Sequence, residues 1–495
     1  MSLLSWKNRL FPAKTTELPI KQDTPVAAEP DLGPVYHAQK SSTVDSLLGF
    51  TEGGALPKWP LEVFLEISNI CDLQCAMCPT FSALNPNRFK ILKNNDRGLL
   101  SYEETAAPME SVLEHALIVH AFGYGEPTIH PQFREFISYL SRFEVMVDFF
   151  THGMHLTEDM CEFLVQNNVV RITISFSGAT QEEYENVYLG GDFQRVLTGI
   201  KTLAATKKKH QSHYPSIDVN SLAFNHQIEK LPEFVKLMGE HGANAIHLKP
   251  LQTYDTIREL HTHSSIMRPE IEGKIVAEAK EIAAQFDLVL ASEPYEQTEQ
   301  MLNQHPDNPQ QARHKGKEEL SSDSYEIKEL KFVAKSLAKK EEIRASAKEP
   351  EDDLTSTDPS ERVFQKNRGT PCLEPYKTLY ASFNGRVYPC CFKADSDTPL
   401  GNLKESTGEQ IWNAQPWQEV REKALHREYP SDICANCLKA QTYPKTHNLP
   451  MKLNQYSDWS ARVYNKYLDG NLLERARLLP GNEEIISKQI GKSQA

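Results

Sequence analysis

The 495-residue sequence contains no apolar run near the roughly 18 residues that a membrane-spanning helix needs. At the start, Lys7 and Arg9 are followed by no apolar core, so residues 1–11 do not read as a secretory signal. Positive charge is also short: 54 Lys and Arg stand against 67 Asp and Glu, a formal net charge of −13. Such an acidic chain is a poor general binder of nucleic acid or of anionic membranes. These absences point to a cytoplasmic protein, in a compartment where thiols stay reduced and disulfides are rare. What remains is globular composition, 39% hydrophobic and 24% charged, with length for about two or three domains.

Nine cysteines then need a reading other than disulfides, and all but Cys161 fall in two groups. The first is Cys71, Cys75 and Cys78; the second is Cys372, Cys390, Cys391, Cys434 and Cys437. In a reducing compartment, clustered cysteines mean metal more often than structure. Cys161, among Met160, Phe163 and Leu164, reads as a buried apolar residue.

Short apolar runs bounded by turn residues recur at residues 61–67, 117–122, 145–150, 169–176, 217–224 and 245–248. Helical stripes lie between them, one at Phe193, Val196, Leu197, Ile200 and Leu203, another at Phe234, Leu237 and Met238 closed by Gly242. Strand–helix alternation repeated six times predicts an α/β fold around a parallel sheet, flat or partly closed into a barrel. Chemistry in such folds collects at the C-terminal ends of the strands, where the first cysteine group falls. The expected organisation is a disordered N-terminal arm (1–58), a core (59–294), a charged insertion (295–368), a second cysteine-bearing domain (369–445) and a C-terminal helical tail (446–495).

Three thiolates in a C-x3-C-x2-C pattern can hold three irons of a [4Fe–4S] cube and leave the fourth open, the mark of a reactive site. Zinc is the alternative, although zinc favours paired C-x2-C units with a fourth ligand nearby. One strand later comes Phe122-Gly123-Tyr124-Gly125-Glu126-Pro127, whose glycines permit close backbone approach and whose Glu126 offers an acceptor to an ammonium group.

Together these two segments resemble the signature of the radical S-adenosylmethionine (SAM) enzymes. The resemblance covers about residues 60 to 255 and implies a partial (β/α)6 barrel. It assigns Cys71, Cys75 and Cys78 to the cluster, and Gly123, Tyr124, Gly125 and Glu126 to the methionine end of SAM. Ser175, Ser177 and Asn220 become further SAM contacts, and Met77 stands where many members carry an aromatic beside the adenine. Thr151-His152-Gly153 stands where the family commonly reads Thr-Asn-Gly, and Ser177 where it often has an acid; Ser177 is equally a good N-cap for the next helix. The implied chemistry is reductive cleavage of SAM to a 5′-deoxyadenosyl radical, which abstracts a substrate hydrogen. An electron donor such as flavodoxin or ferredoxin is the implied partner.

In the second group, Asn384-Gly385 between apolar runs is a strong hairpin signal and sets Cys390 back toward Cys372. Cys434 and Cys437 would complete four thiolates, sufficient for a second, fully ligated [4Fe–4S] cluster, with a four-cysteine zinc site as the alternative. Cys391 reads as a spare thiol. This segment resembles the SPASM/twitch extension of radical SAM enzymes, in the shorter single-cluster arrangement of 2-deoxy-scyllo-inosamine dehydrogenase. That arrangement implies an oxidoreductase acting on a small hydroxylated or amino metabolite, with the second cluster as electron acceptor. The other reading is a maturase that crosslinks, epimerises or oxidises a peptide or protein. No residue is singled out as the catalyst.

Overall fold

A computed structural model describes residues 37–51, 55–82, 97–291 except 168, 213, 225–226 and 250–268, then 372, 374–391 and 398–425. The strands are β1 (Glu62–Leu65), β2 (Ile118–His120), β3 (Met146–Thr151), β4 (Val169–Ser175), β5 (Ser216–Leu222), β6 (Ala245–Lys249), β7 (Val289–Ala291), β8 (Thr378–Ala381), β9 (Arg386–Tyr388) and β10 (Gly401–Asn402). The helices are α1 (His37–Thr51), α2 (Tyr102–His115), α3 (Phe133–Ser141), α4 (Glu158–Gln166), α5 (Gln181–Val187), α6 (Phe193–Lys209), α7 (Leu231–Glu240), α8 (Pro269–Gln285), α9 (Glu374–Lys377), α10 (Gly408–Asn413) and α11 (Gln415–Leu425).

The ten strands form one sheet in the order β10-β9-β8-β1-β2-β3-β4-β5-β6-β7. Strands β1 to β7 pair in parallel, as strand–helix alternation dictates. Side chains alternate between faces. Val63, Leu65, Val119, Val147, Phe149, Ile172, Ile174, Ile217, Val219 and Ile246 join the helices in the buried core. Val196, Leu197, Ile200 and Leu203 of α6 and Phe234 and Met238 of α7 are buried against that core, and Gly242 ends α7 with φ +85.

The second cysteine-bearing segment is continuous with the core sheet. Strand β8 pairs in parallel with β1, Glu62 opposite Thr378, and Lys377 Nζ meets Glu62 at 2.7 Å. The Asn384-Gly385 hairpin forms as the residues demand: Tyr380 faces Tyr388, and Gly385 takes φ +80. Arg421, buried, lies 4.2 Å above the Trp412 ring and donates to the Pro375 carbonyl, locking α11 behind β8. Among the described residues, no helix is long and apolar enough to cross a membrane.

One expectation needs correction. Residues 1–58 read as disordered because they lack periodicity, yet His37–Thr51 form helix α1 against α2. The deciding contact is polar: Lys40 Nζ donates to the Leu113 and Ala116 carbonyls at 3.2 and 2.6 Å, satisfying the end of α2. Burial lowers the pKa of Lys40 from 10.5 to about 7, with Glu144 and Glu114 opposing. A lowered folded-state pKa means the unfolded chain binds the proton more readily, so stability rises with pH between about 7 and 10.5. The denaturant midpoint should therefore climb from pH 7 to pH 9 more steeply in the wild type than in Lys40→Met. Equal slopes would mean that Lys40 does not titrate in this window.

Candidate cofactor site

The site is built from three loops that leave the C-terminal ends of β1, β2 and β3. The loop after β1 carries Cys71, Cys75 and Cys78, all half-buried and free. Burial pushes all three thiols above their usual pKa; the Glu126 charge adds to this at Cys71, and Cys78 adds to it at Cys75. Three thiols so placed ionise together only when a cation balances them, which is what cluster iron provides. The donor set therefore fits a cysteine-ligated iron–sulfur centre.

The loop after β2 runs against the cysteine loop. Gly125 N–H donates to the Ser68 carbonyl at 3.2 Å, and Glu126 N–H to the Ile70 carbonyl at 2.8 Å. A Cβ on Gly125 would lie 2.5 Å from the Ile70 backbone, and one on Gly123 would lie 2.2 Å from Glu66 Cγ. Both positions thus require glycine for close approach. Glu66, buried, accepts from the Tyr124 amide at 3.1 Å and from the Phe383 amide at 3.3 Å, which ties this loop to the β8–β9 hairpin.

Glu126 is the residue expected to accept from an ammonium group. It is 2% exposed. Its Oε1 accepts from Thr128 N–H, Thr128 Oγ1 and Thr151 Oγ1, and its Oε2 from the His152 amide at 2.9 Å. Its first task is therefore to splint the second loop to the third, and only Oε2 keeps capacity for a further donor.

The loop after β3 contributes two histidines, His152 of the Thr151-His152-Gly153 segment and His155, which sequence reasoning did not single out. His152 Nδ1 accepts from the Met154 amide at 3.1 Å, so Nε2 carries the proton and donates to Asp72 Oδ1 at 2.8 Å. His155 Nε2 donates to Asp72 Oδ2 at 3.0 Å. Burial raises the pKa of Asp72, but these two bonds outweigh it and hold the carboxyl well below its usual range. A readable signal existed: an acid inside C-x3-C and a His-x2-His in the third loop.

The remaining expected contacts divide. Ser175 and Asn220 are half-buried neighbours across the β4–β5 ladder. Met77 is half-buried against Ala76. Ser177 is fully buried; its hydroxyl meets Tyr188 Oη at 3.2 Å and accepts from Leu222 N–H at 2.9 Å. Nor does Ser177 cap the next helix, since Thr180 does, in a capping box with Glu183. Cys161 is buried in the core as expected. Cys372, Cys390 and Cys391 are half-buried, while Cys434 and Cys437 lie outside the described residues. Cys390 follows β9, which runs antiparallel to β8, and Cys372 precedes β8. Both therefore flank the N-terminal ends of β1 and β8, at the opposite end of the strands from Cys71.

Residues 65–217 match the radical SAM superfamily, and residues 372–438 match the SPASM iron–sulfur cluster-binding domain. The chain carries a radical SAM domain and a SPASM domain. Its cofactors are accordingly [4Fe–4S] clusters and SAM. Mycofactocin maturase MftC of Mycobacterium tuberculosis is 24% identical over 184 residues, 37% of this chain and 43% of that protein. PqqA peptide cyclase of Gluconobacter oxydans is 25% identical over 201 residues, 40% of this chain and 51% of that protein. The chain thus spans about half the length of these curated relatives. Streptococcus suis SuiB bound to S-adenosylmethionine overlays with a TM-score of 0.49 at 12% identity, covering 83% of this chain and 78% of that one.

Proposed function

We propose that this radical SAM–SPASM protein modifies a peptide or protein substrate. Cys71, Cys75 and Cys78 would hold the SAM-binding cluster, and Gly123, Tyr124, Gly125, Ser175, Asn220 and Met77 would line the SAM site. Glu126 Oε2 would accept from the SAM ammonium while Oε1 keeps the second loop in place. Bound there, the cluster and SAM supply a 5′-deoxyadenosyl radical that takes a hydrogen atom from the substrate. The chain's own part is to hold the three loops, orient SAM and keep water away from the strand ends.

Cys372, Cys390, Cys434 and Cys437 would hold one auxiliary cluster. Cys391 is the only other cysteine after residue 372, which supports the single-cluster twitch arrangement. The domain limits at 59–294 and 369–445 follow from the same assignment. A flavodoxin or ferredoxin would donate the electron, in the cytoplasm.

The observation that carries the substrate class is the match to a maturase over 184 residues and to a peptide cyclase over 201 residues. It favours a peptide over the small hydroxylated or amino metabolite that a single auxiliary cluster first suggests. The test is to reconstitute the protein anaerobically and add, one by one, the short peptides encoded beside its gene, with SAM and dithionite. A cognate peptide should raise 5′-deoxyadenosine formation and change in mass. Stimulation by an amino sugar or polyol, with every peptide inert, would return the assignment to metabolite oxidation.

A further inference from the structure

The first and third loops meet at one carboxylate that lies outside the glycine-rich segment. Asp72 directly follows Cys71. Its two oxygens are bound by two imidazoles of the third loop, His152 at 2.8 Å and His155 at 3.0 Å. The donor atoms of Cys71, Asp72 and His152 all lie within 4.8 Å of one another. His152 is 6% exposed, and its backbone amide is held by Glu126 Oε2. One histidine therefore ties the cysteine loop through its ring and the Gly-Glu-Pro loop through its amide.

We infer that Asp72, with His152 and His155, is a positioning clamp that closes the cysteine loop over the cluster and tunes the ease of its reduction. The inference rests on the radical SAM reading of Cys71, Cys75 and Cys78. Two separable effects follow from the geometry. As a tether, Asp72 fixes the orientation of the peptide that carries Cys71, and residues that orient metal ligands typically change metal affinity by about 10- to 100-fold when removed. As a charge, its carboxylate sits beside the thiolates, where a negative charge opposes the addition of an electron. The two imidazole N–H groups point at Asp72 and partly offset that charge.

Two variants separate these effects. Asp72→Ala removes tether and charge together. Asp72→Asn keeps the shape and can still bridge both rings, since Oδ1 accepts from His152 and Nδ2 can donate to His155 after a tautomer change. Reconstituted full-length proteins are compared by iron loss to a chelator, by the EPR spectrum of the reduced cluster with and without SAM, and by the cluster midpoint potential. Asp72→Ala should lose the iron of one cluster about tenfold faster or more. Asp72→Asn should retain its iron, keep the SAM-induced EPR change, and show a higher potential than the wild type. Wild-type iron retention in Asp72→Ala, or an unshifted potential in Asp72→Asn, would overturn the clamp or the charge effect respectively. A wild type whose reduced EPR spectrum does not respond to SAM would instead sink the underlying reading of the cysteine loop.

Discussion

Changing Cys71, Cys75 and Cys78 together to alanine should halve the iron of the reconstituted protein and abolish SAM cleavage. Two cubane clusters amount to roughly eight irons per chain, and the triple variant should keep about four. The effect is all-or-none because no other described side chain offers thiolates at this end of the strands. Cys161 is sealed in the core, and Cys372 and Cys390 flank the opposite ends of β1 and β8. If the triple variant retained 5′-deoxyadenosine formation, the reactive centre would lie elsewhere. If tightly bound zinc rather than iron remained in the variant, the second site would have no electron-transfer role.

The second large effect is expected at Glu126. Glu126→Ala leaves the His152 and Thr128 amides and two threonine hydroxyls without their acceptor in a nearly closed space. Each unsatisfied buried donor costs about 1 to 3 kcal/mol. The second and third loops would separate before SAM arrives, and the proposed contact to the SAM ammonium would be lost as well. At about 1.4 kcal/mol per decade, SAM affinity should fall by at least about tenfold to a hundredfold, with iron content kept. Glu126→Gln should fall between the two, because its amide either keeps Oε1 and turns a donor toward the His152 N–H, or the reverse. Unchanged SAM affinity in Glu126→Ala would place SAM on another loop.

The fold was readable because its signal is periodic. Six apolar runs predicted strands within a few residues of β1 to β6, and the stripes at 193–203 and 234–238 fall on the buried faces of α6 and α7. Asn384-Gly385 formed the hairpin it announced. The union of β8 with β1 was not readable, since pairing between strands more than 300 residues apart leaves no local pattern. Helix α1 was missed because it is anchored by one buried lysine rather than by an apolar stripe.

At the site, residue types located the loops but not their bonds. The cysteines and glycines were found because their spacing and backbone freedom are constrained one by one. Glu126 was found, but its protein donors at Thr128, Thr151 and His152 were not, because a carboxylate in a loop says nothing about which donors surround it. Ser177 was read as a candidate cap, whereas Thr180 caps the helix and the Ser177 hydroxyl meets the Tyr188 hydroxyl and the Leu222 amide. The sheet also carries polar pairs that spacing did not reveal: His120 bonded to Asp148 at 2.6 Å, Asp148 paired with Arg171, and His247 bonded to Asp218 at 2.9 Å. These pairs arise from register between neighbouring strands, which a single sequence does not encode locally.

The most direct test of the account uses the wild-type protein, reconstituted anaerobically with iron and sulfide and then given SAM and dithionite. Radical SAM chemistry at Cys71, Cys75 and Cys78 predicts methionine and 5′-deoxyadenosine in equal amounts, with formation that requires the reductant. Fully loaded clusters that leave SAM intact, or that yield no 5′-deoxyadenosine, would contradict it.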